Sequence, residues 1–362
     1  MKNRNPFPLN NYIGSKYFCN RVMETERIIS AVTNKRNIIL ISENGIGKTT
    51  LIKHVAEELN ELDSYVFVYV PLMKAEKPAQ LIKKFFNAAF LNKNLKKEIN
   101  NNFSDLSRIK KYIISENSNH AFVKETDYGE LLQKIFYFFE TTNEKLVVAF
   151  DDFQNAFRCL SKKDVKTLLN IIAQSRNISF ILSLNNHYVF DKNTEEILGK
   201  TEIINLEKIE RKKYFGFIKK RFKKENRKIT KESINYILKW ANLSTFYVQY
   251  ICNKLYDTNE NKITVDLVDK TINNILEKYE FIFLNYKQLL SPYQWKLLVA
   301  IATEGKAIKI TSSSFIEKYE LNAASSVKTA ITALIEKELI ARKEKSYHII
   351  NVFLEKWLSE NN

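Results

Sequence analysis

Ser42-Glu43-Asn44-Gly45-Ile46-Gly47-Lys48-Thr49 follows the apolar run Ile38-Ile39-Leu40-Ile41 and precedes Leu51-Ile52-Lys53-His54-Val55-Ala56-Glu57-Glu58-Leu59, where apolar residues repeat at helical spacing. The order predicts a strand, a phosphate loop and a helix. A glycine-bearing turn at a helix N-terminus aims backbone N–H groups at one point, where the helix dipole also favours negative charge. Gly45 and Gly47 allow the chain to wrap a phosphate with no Cβ in the way, Lys48 reaches the β- and γ-phosphates, and Thr49 offers a hydroxyl to Mg2+. Residues Ser42 to Thr50 are therefore the candidate nucleotide cradle, with Ser42 standing where the pattern GxxxxGK[ST] has its first glycine. A plain strand-to-helix turn with an exposed lysine is the simpler reading; the agreement of strand, Gly-Lys-Thr and helix argues against it.

The second half of the chemistry is expected at Leu146-Val147-Val148-Ala149-Phe150-Asp151-Asp152, an apolar strand ending in two carboxylates. A parallel strand beside the phosphate loop would bring Asp151 to the metal and leave Asp152 as the base that orients the attacking water. Asp152 is one methylene shorter than the glutamate more usual in this role, which predicts slow hydrolysis. The strand Ile178 to Leu184 ends at Asn185 and Asn186, at the sheet edge where ligands bind in parallel α/β folds. Asn185 is the candidate for sensing the γ-phosphate, with a plain turn asparagine as the other reading. With Tyr65 to Val70 and Glu202 to Leu206, five strands alternate with helices, the pattern of a parallel α/β sheet.

The 362 residues, 45% of them apolar, suffice for two or three domains. No stretch approaches the roughly 18 apolar residues of a membrane span, and Met1 to Pro6 lack an apolar run behind the basic residues, so no membrane role and a cytoplasmic setting are expected. Cys19, Cys159 and Cys252 are far apart and read as structural, and the four histidines have no metal-ligand spacing. The net charge of +16 rests mainly on lysine, since only eleven of the 57 basic residues are arginine. Between Arg211 and Lys231 there are eleven cations against Glu225 alone. On a helix, Tyr214, Phe215, Ile218 and Phe222 share one face, and Lys212, Lys213, Lys219, Lys220, Lys223 and Lys224 spread over the other. That face is either a solvated exterior or a surface for an anionic partner such as nucleic acid. Arg221 falls on the apolar side and calls for a partner.

From Arg211 to about Gln288 the periodicity is helical, which defines a lid domain over 208–289 behind an ATPase core over 1–207. Polar, lysine-rich 92–126 is read as an excursion from that core. At 290–362 a new unit is expected: Ser291 caps a helix with Pro292 in its first turn, Gly305 ends it, two further helices follow, and a hairpin turns at Lys343 to Ser346. Three helices and a hairpin describe a winged helix-turn-helix. Such modules often read DNA with the third helix; here its start offers Ser325, Ser326, Lys328 and Thr329, so a protein contact is the other reading.

Several strings, in order, resemble the archaeal-type ATPases of the STAND branch of AAA+-like P-loop NTPases. They are Asn5-Pro6-Phe7, Tyr17 to Arg21 ahead of Glu24, Ile46 to Thr49, Asp151-Asp152-Phe153-Gln154, Phe246 to Gln249, Ala324 to Lys328 and Phe353 to Leu358. The resemblance implies an ASCE-type sheet, a leading segment with Arg21 near the adenine, and a nucleotide state that changes how lid and winged helix sit. The chain departs from the family at Asp152, where glutamate is usual, at Glu43-Asn44-Gly45, where basic residues are frequent, and at Ser244-Thr245, where His-Pro or Gly-x-Pro helps sense nucleotide. Together these readings describe an ATP-binding switch with slow Mg2+-dependent hydrolysis, acting through a protein partner or self-assembly. A DNA-binding regulator or replication or transposition helper, using the 211–231 helix or the winged helix, and a pseudo-ATPase scaffold are the alternatives.

Overall fold

The computed structural model describes residues 5–9, 12–62, 65–102, 127–142, 144–186, 194, 197–198 and 201–361. The chain forms two compact units, one of residues 10–207 and one of residues 1–9 with 208–362.

The first unit is a three-layer sandwich. Its elements in chain order are α1 (Val22–Thr33), β1 (Ile38–Ser42), α2 (Lys48–Glu61), β2 (Val66–Pro71), α3 (Pro78–Ala89), α4 (Lys93–Asn102), α5 (Tyr128–Glu140), β3 (Leu146–Asp151), α6 (Gln154–Cys159), α7 (Lys162–Gln174), β4 (Ile178–Asn185) and β5 (Glu202–Asn205). All five strands are parallel, in the order β2-β3-β4-β1-β5. Both faces are covered, so β3 and β4 are buried along their whole length and read as continuous rather than alternating apolar runs. One face packs Ile28 and Val32 of α1 and Leu51, Ile52 and Val55 of α2 against Leu40, Val147 and Ile181. The other packs Phe85, Phe86, Phe136 and Phe139 against Val148, Phe150 and Phe180. Asp127 caps α5 by accepting from the Glu130 N–H at 3.1 Å.

Two expectations for this unit need correction. The acid-bearing strand β3 is not beside β1, because β4 lies between them. A parallel crossover carries the chain across the sheet, and where it lands is decided by packing of the crossover helices rather than by local pattern. The polar stretch 92–126 opens with a true helix, α4, and its remainder from 103 lies outside the described residues.

The second unit contains α8 (Arg211–Lys224), β6 (Lys228–Ile229), α9 (Lys231–Trp240), α10 (Thr245–Asp257), β7 (Lys262–Ile263) and the long α11 (Val265–Leu289). It is not helical throughout, since β6 and β7 pair as a short parallel ladder. Asn5 and Phe7 belong here: Asn253 Nδ2 donates to the Phe7 carbonyl at 2.8 Å, and the Phe7 ring lies 4.9 Å from that of Phe222. Then follow α12 (Pro292–Glu304), β8 (Ala307–Ile308), α13 (Ser313–Lys318), α14 (Ala324–Glu336), β9 (Ile340–Lys343), β10 (Ser346–Ile349) and α15 (Val352–Glu360). Ser291 caps α12 through a capping box with Gln294, Pro292 sits in the first turn, and Gly305 at φ 65° ends the helix. The wing is the antiparallel sheet β8-β10-β9. Phe353 on α15 lies against Tyr247, Tyr250 and Tyr279, with ring centroids at 4.8, 5.3 and 5.4 Å, so aromatic packing ties the winged helix to α10 and α11.

Candidate functional site

The candidate site sits at the C-terminal ends of β1, β4 and β3. β1 ends at Ser42 opposite Asn185 of β4, and the chain turns through Glu43 to Gly47 into α2. Gly45 at φ 77° and Gly47 at φ 109° occupy left-handed backbone that side chains other than glycine rarely adopt. The first turn of α2 has neither a side-chain cap nor an acid. Its N–H groups and the dipole are thus presented to an anion, as a phosphate requires.

Lys48 is 7% exposed and folds back over the loop. Its Nζ donates to Asn185 Oδ1 at 3.0 Å, to the Ser42 carbonyl and hydroxyl at 3.2 Å each, and to the Glu43 carbonyl at 3.3 Å. Burial lowers the Lys48 pKa from 10.5 to about 8; Asp152, Asp151 and Glu43 oppose the shift. The ammonium is held by neutral oxygens, so an incoming phosphate meets a cation that no carboxylate has neutralised by contact.

Thr49 Oγ1 donates to Asp151 Oδ2 at 2.6 Å. Asp151 also accepts from the Tyr69 hydroxyl at 2.7 Å and from Ser183 Oγ. The Tyr69 phenol is pushed above its ordinary pKa by burial, then by the Asp151 charge, and so stays a donor. Asp152 is the next residue and adopts a left-handed φ of 56°, which Asp tolerates better than most residues. Its N–H donates to Ser183 Oγ at 2.9 Å, and Gln154 Nε2 donates to its Oδ1 at 3.3 Å.

Arg21 is buried at the N-cap of α1, where Asn20 and Arg21 both have left-handed φ, 60° and 70°. It donates to Glu24 Oε1 at 2.8 Å and to the Ile46 carbonyl at 3.3 Å, so the leading segment grips the phosphate loop itself. Ile46 is buried, Asn44 and Thr49 are exposed, and Glu43 and Thr50 lie between these extremes.

The donor set fits a nucleotide with Mg2+. A hydroxyl and a carboxylate 2.6 Å apart are two hard oxygens of the kind that hold Mg2+, which takes its remaining ligands from water and phosphate. The structure forms two hydrogen-bonded groups that start from consecutive residues, Lys48 with Ser42 and Asn185, and Thr49 with Asp151, and Ser183 ties the Asp152 N–H to the second. Sequence reasoning missed Tyr69 and Ser183, which orient Asp151. It also missed a triad behind the loop: the Tyr12 hydroxyl bonds His54 Nδ1 at 2.8 Å and donates to Glu57, whose carboxylate also accepts the Ser15 N–H at 3.0 Å.

The family profile described as "ATPase domain predominantly from Archaea" matches residues 18–251, and one described as "Probable winged helix domain" matches residues 281–360. No curated protein matches in sequence. Among solved structures, the Walker-type ATPase of Pyrococcus abyssi aligns at 13% identity and TM-score 0.65, over 98% of this chain and 99% of that one. The Aeropyrum pernix ORC2 protein, solved in ADPNP-ADP complexes, aligns at 14% identity and TM-score 0.63, over 99% and 96%. The Aeropyrum pernix ORC1 protein, solved in complex with DNA, aligns at 11% identity and TM-score 0.54, over 95% and 93%. At such identities these structures speak to the fold alone, a parallel α/β sheet with a C-terminal winged helix. Among the described residues, no helix is long and apolar enough to cross a membrane.

Proposed function

Because the chain belongs to the family of ATPase domains found predominantly in Archaea, we propose that it binds ATP on the Ser42 to Thr50 loop and hydrolyses it slowly, as a switch of the STAND type. The observation that supports this most is that two consecutive residues at the start of α2 face both halves of the chemistry, Lys48 toward Asn185 and Ser42, and Thr49 toward Asp151. Lys48 and the first-turn N–H groups of α2 hold the phosphates. Thr49 and Asp151 would hold Mg2+, which when bound withdraws charge from the phosphate oxygens. Asp152 takes the role of orienting water, and Asn185, fixed against Lys48, that of reporting on the γ-phosphate. A shorter acid at position 152 argues for turnover on the order of 10⁻² s⁻¹ or slower.

In this reading the core is 1–207, 208–289 is a lid, and 290–362 is the winged helix. ATP and ADP bias the arrangement of lid and winged helix to the extent that they bind its alternatives with different affinity. The output is a protein contact or self-assembly. Cys19, Cys159 and Cys252 are buried and form no disulfide, which accords with a reducing, cytoplasmic setting.

Comparing phosphate release by the native chain and Asp152→Asn tests the proposal. Asparagine accepts the same left-handed backbone, so the fold is kept while the charge is lost. A rate at least tenfold lower in the variant supports hydrolysis at this site. Equal, near-zero rates with intact ATP binding would leave a nucleotide-holding scaffold.

A further inference from the structure

The second unit carries a charged face that the nucleotide chemistry does not use. Projected at 100° per residue, Lys212, Lys213, Lys219, Lys220, Lys223 and Lys224 of α8 span an arc of about 140°, and all six are exposed. Gly216 lies near the middle of that arc. The opposite arc is the buried one, with Tyr214, Ile218 and Phe222, and with the Arg221 guanidinium 4.9 Å from the Phe217 ring centroid. Among the described residues none of the six lysines forms a salt bridge.

The helix dipole accounts for Lys223 and Lys224 in the last turn, but not for the rest of the arrangement. Lys212 and Lys213 stand with Arg211 in a first turn that has no acid, at the end of the dipole where cations are unfavourable. Lys219 with Lys223 and Lys220 with Lys224 are like-charged neighbours one turn apart, which repel. Gly216 weakens the middle of the helix, yet a Cβ built on it meets nothing within 4 Å. Internal packing therefore does not ask for glycine there. What the glycine creates is a notch in the lysine face, where an outside group can come against the helix backbone.

We propose that this face of α8 binds the phosphate backbone of duplex DNA without reading sequence. The face consists of lysines and one glycine, and the partner must match that chemistry. Single strands are gripped by stacking on aromatic rings, and membrane-surface helices insert apolar ones; the arc offers neither. Base readout by arginine forks is likewise missing from it. Duplex RNA is recognised through 2′-hydroxyls, for which the arc has no hydroxyl or amide side chain. The rise from Lys212 to Lys224 is about 18 Å, along which a DNA duplex presents on the order of ten phosphates. Compact ammonium groups at this density match that continuous charge lattice.

Anisotropy of a labelled mixed-sequence DNA duplex, titrated with the full chain at several KCl concentrations, tests the proposal. The variants are Lys219→Gln/Lys220→Gln/Lys223→Gln and, separately, Gly216→Glu, which fills the notch with a negative charge while improving helix propensity. The native chain is expected to bind with steep salt dependence. The triple variant should bind about tenfold more weakly and lower the log–log salt slope by about three, near 0.9 per lost phosphate contact. Gly216→Glu should weaken DNA binding about tenfold with no fall in melting temperature. Uptake of a fluorescent ATP analogue should be unchanged in both, so loss of DNA binding and loss of the nucleotide site are read separately. Unchanged DNA affinity and slope in both variants would overturn the proposal. So would tighter binding to duplex RNA or anionic vesicles, or a loss seen only on replacing Arg342, Lys343 and Lys345 of the wing.

Discussion

Lys48 Nζ donates to Asn185 Oδ1 at 3.0 Å, joining the first residue of α2 to the last residue of β4. Asn185 carries no charge, so it positions the ammonium without neutralising it. Asn185→Ala removes one of four acceptors and leaves the Ser42 and Glu43 oxygens in place. Hydrolysis is expected to fall on the order of 10²-fold, as for loss of one oriented polar group at a reacting centre, with a much smaller change in ATP affinity. Phosphate release and equilibrium binding on one preparation check this. Equal losses in both would reduce Asn185 to a support for Lys48.

The Lys48 pKa of about 8 has a direct consequence for pH. A bound phosphate favours the charged ammonium, so ATP affinity should be flat below pH 8. Above it, affinity should drop by up to tenfold per pH unit. Folding stability from this group runs the opposite way. Between pH 8 and 10.5 the unfolded chain holds the proton that the folded chain releases, so this contribution rises with pH. Calorimetric titrations at pH 7, 8 and 9 check the first trend, and denaturant melts the second.

Ser183 Oγ links the two acids, donating to Asp151 and accepting the Asp152 N–H. Ser183→Ala strips a donor from a buried carboxylate and takes its hydroxyl acceptor from the part-buried Asp152 N–H. A loss of about 1.5–3 kcal/mol is expected, read from urea denaturation without nucleotide. Tyr69→Phe removes another donor to Asp151 and should cost less, because the ring remains in place.

Arg21→Met leaves Glu24 and the Ile46 carbonyl without their buried donor. A destabilisation of about 2–3 kcal/mol is expected, with weaker ATP binding because the loop loses its anchor. Urea melts with and without ATP separate these effects. Native-like stability would show that the contact is dispensable.

The candidate site was legible in the sequence as far as it depends on local chain geometry. Gly45, Gly47, Lys48 and Thr49 follow a strand and start a helix, and those four positions alone imply a phosphate cradle. The cap at Ser291, the stop at Gly305 and the wing were readable because capping and turn chemistry are local. Ser183 and Tyr69 were hidden because their importance lies in register: Tyr69 pairs with Ala149, and the Phe150–Leu182 pairing brings Ser183 beside Asp151. No pattern within a strand encodes which strand is its neighbour. The same limit put β3 next to β1 instead of one strand away. Arg21 entered through family resemblance, since no local pattern marks its contact with Ile46, 25 residues further along the chain.

Titration calorimetry of MgATP into the native chain and into Lys48→Ala tests the central claim most directly. Saturable binding in the native chain, weakened at least about 100-fold in the variant while its melting temperature holds, is the predicted result. Equal affinity in both would place the nucleotide elsewhere and contradict the account.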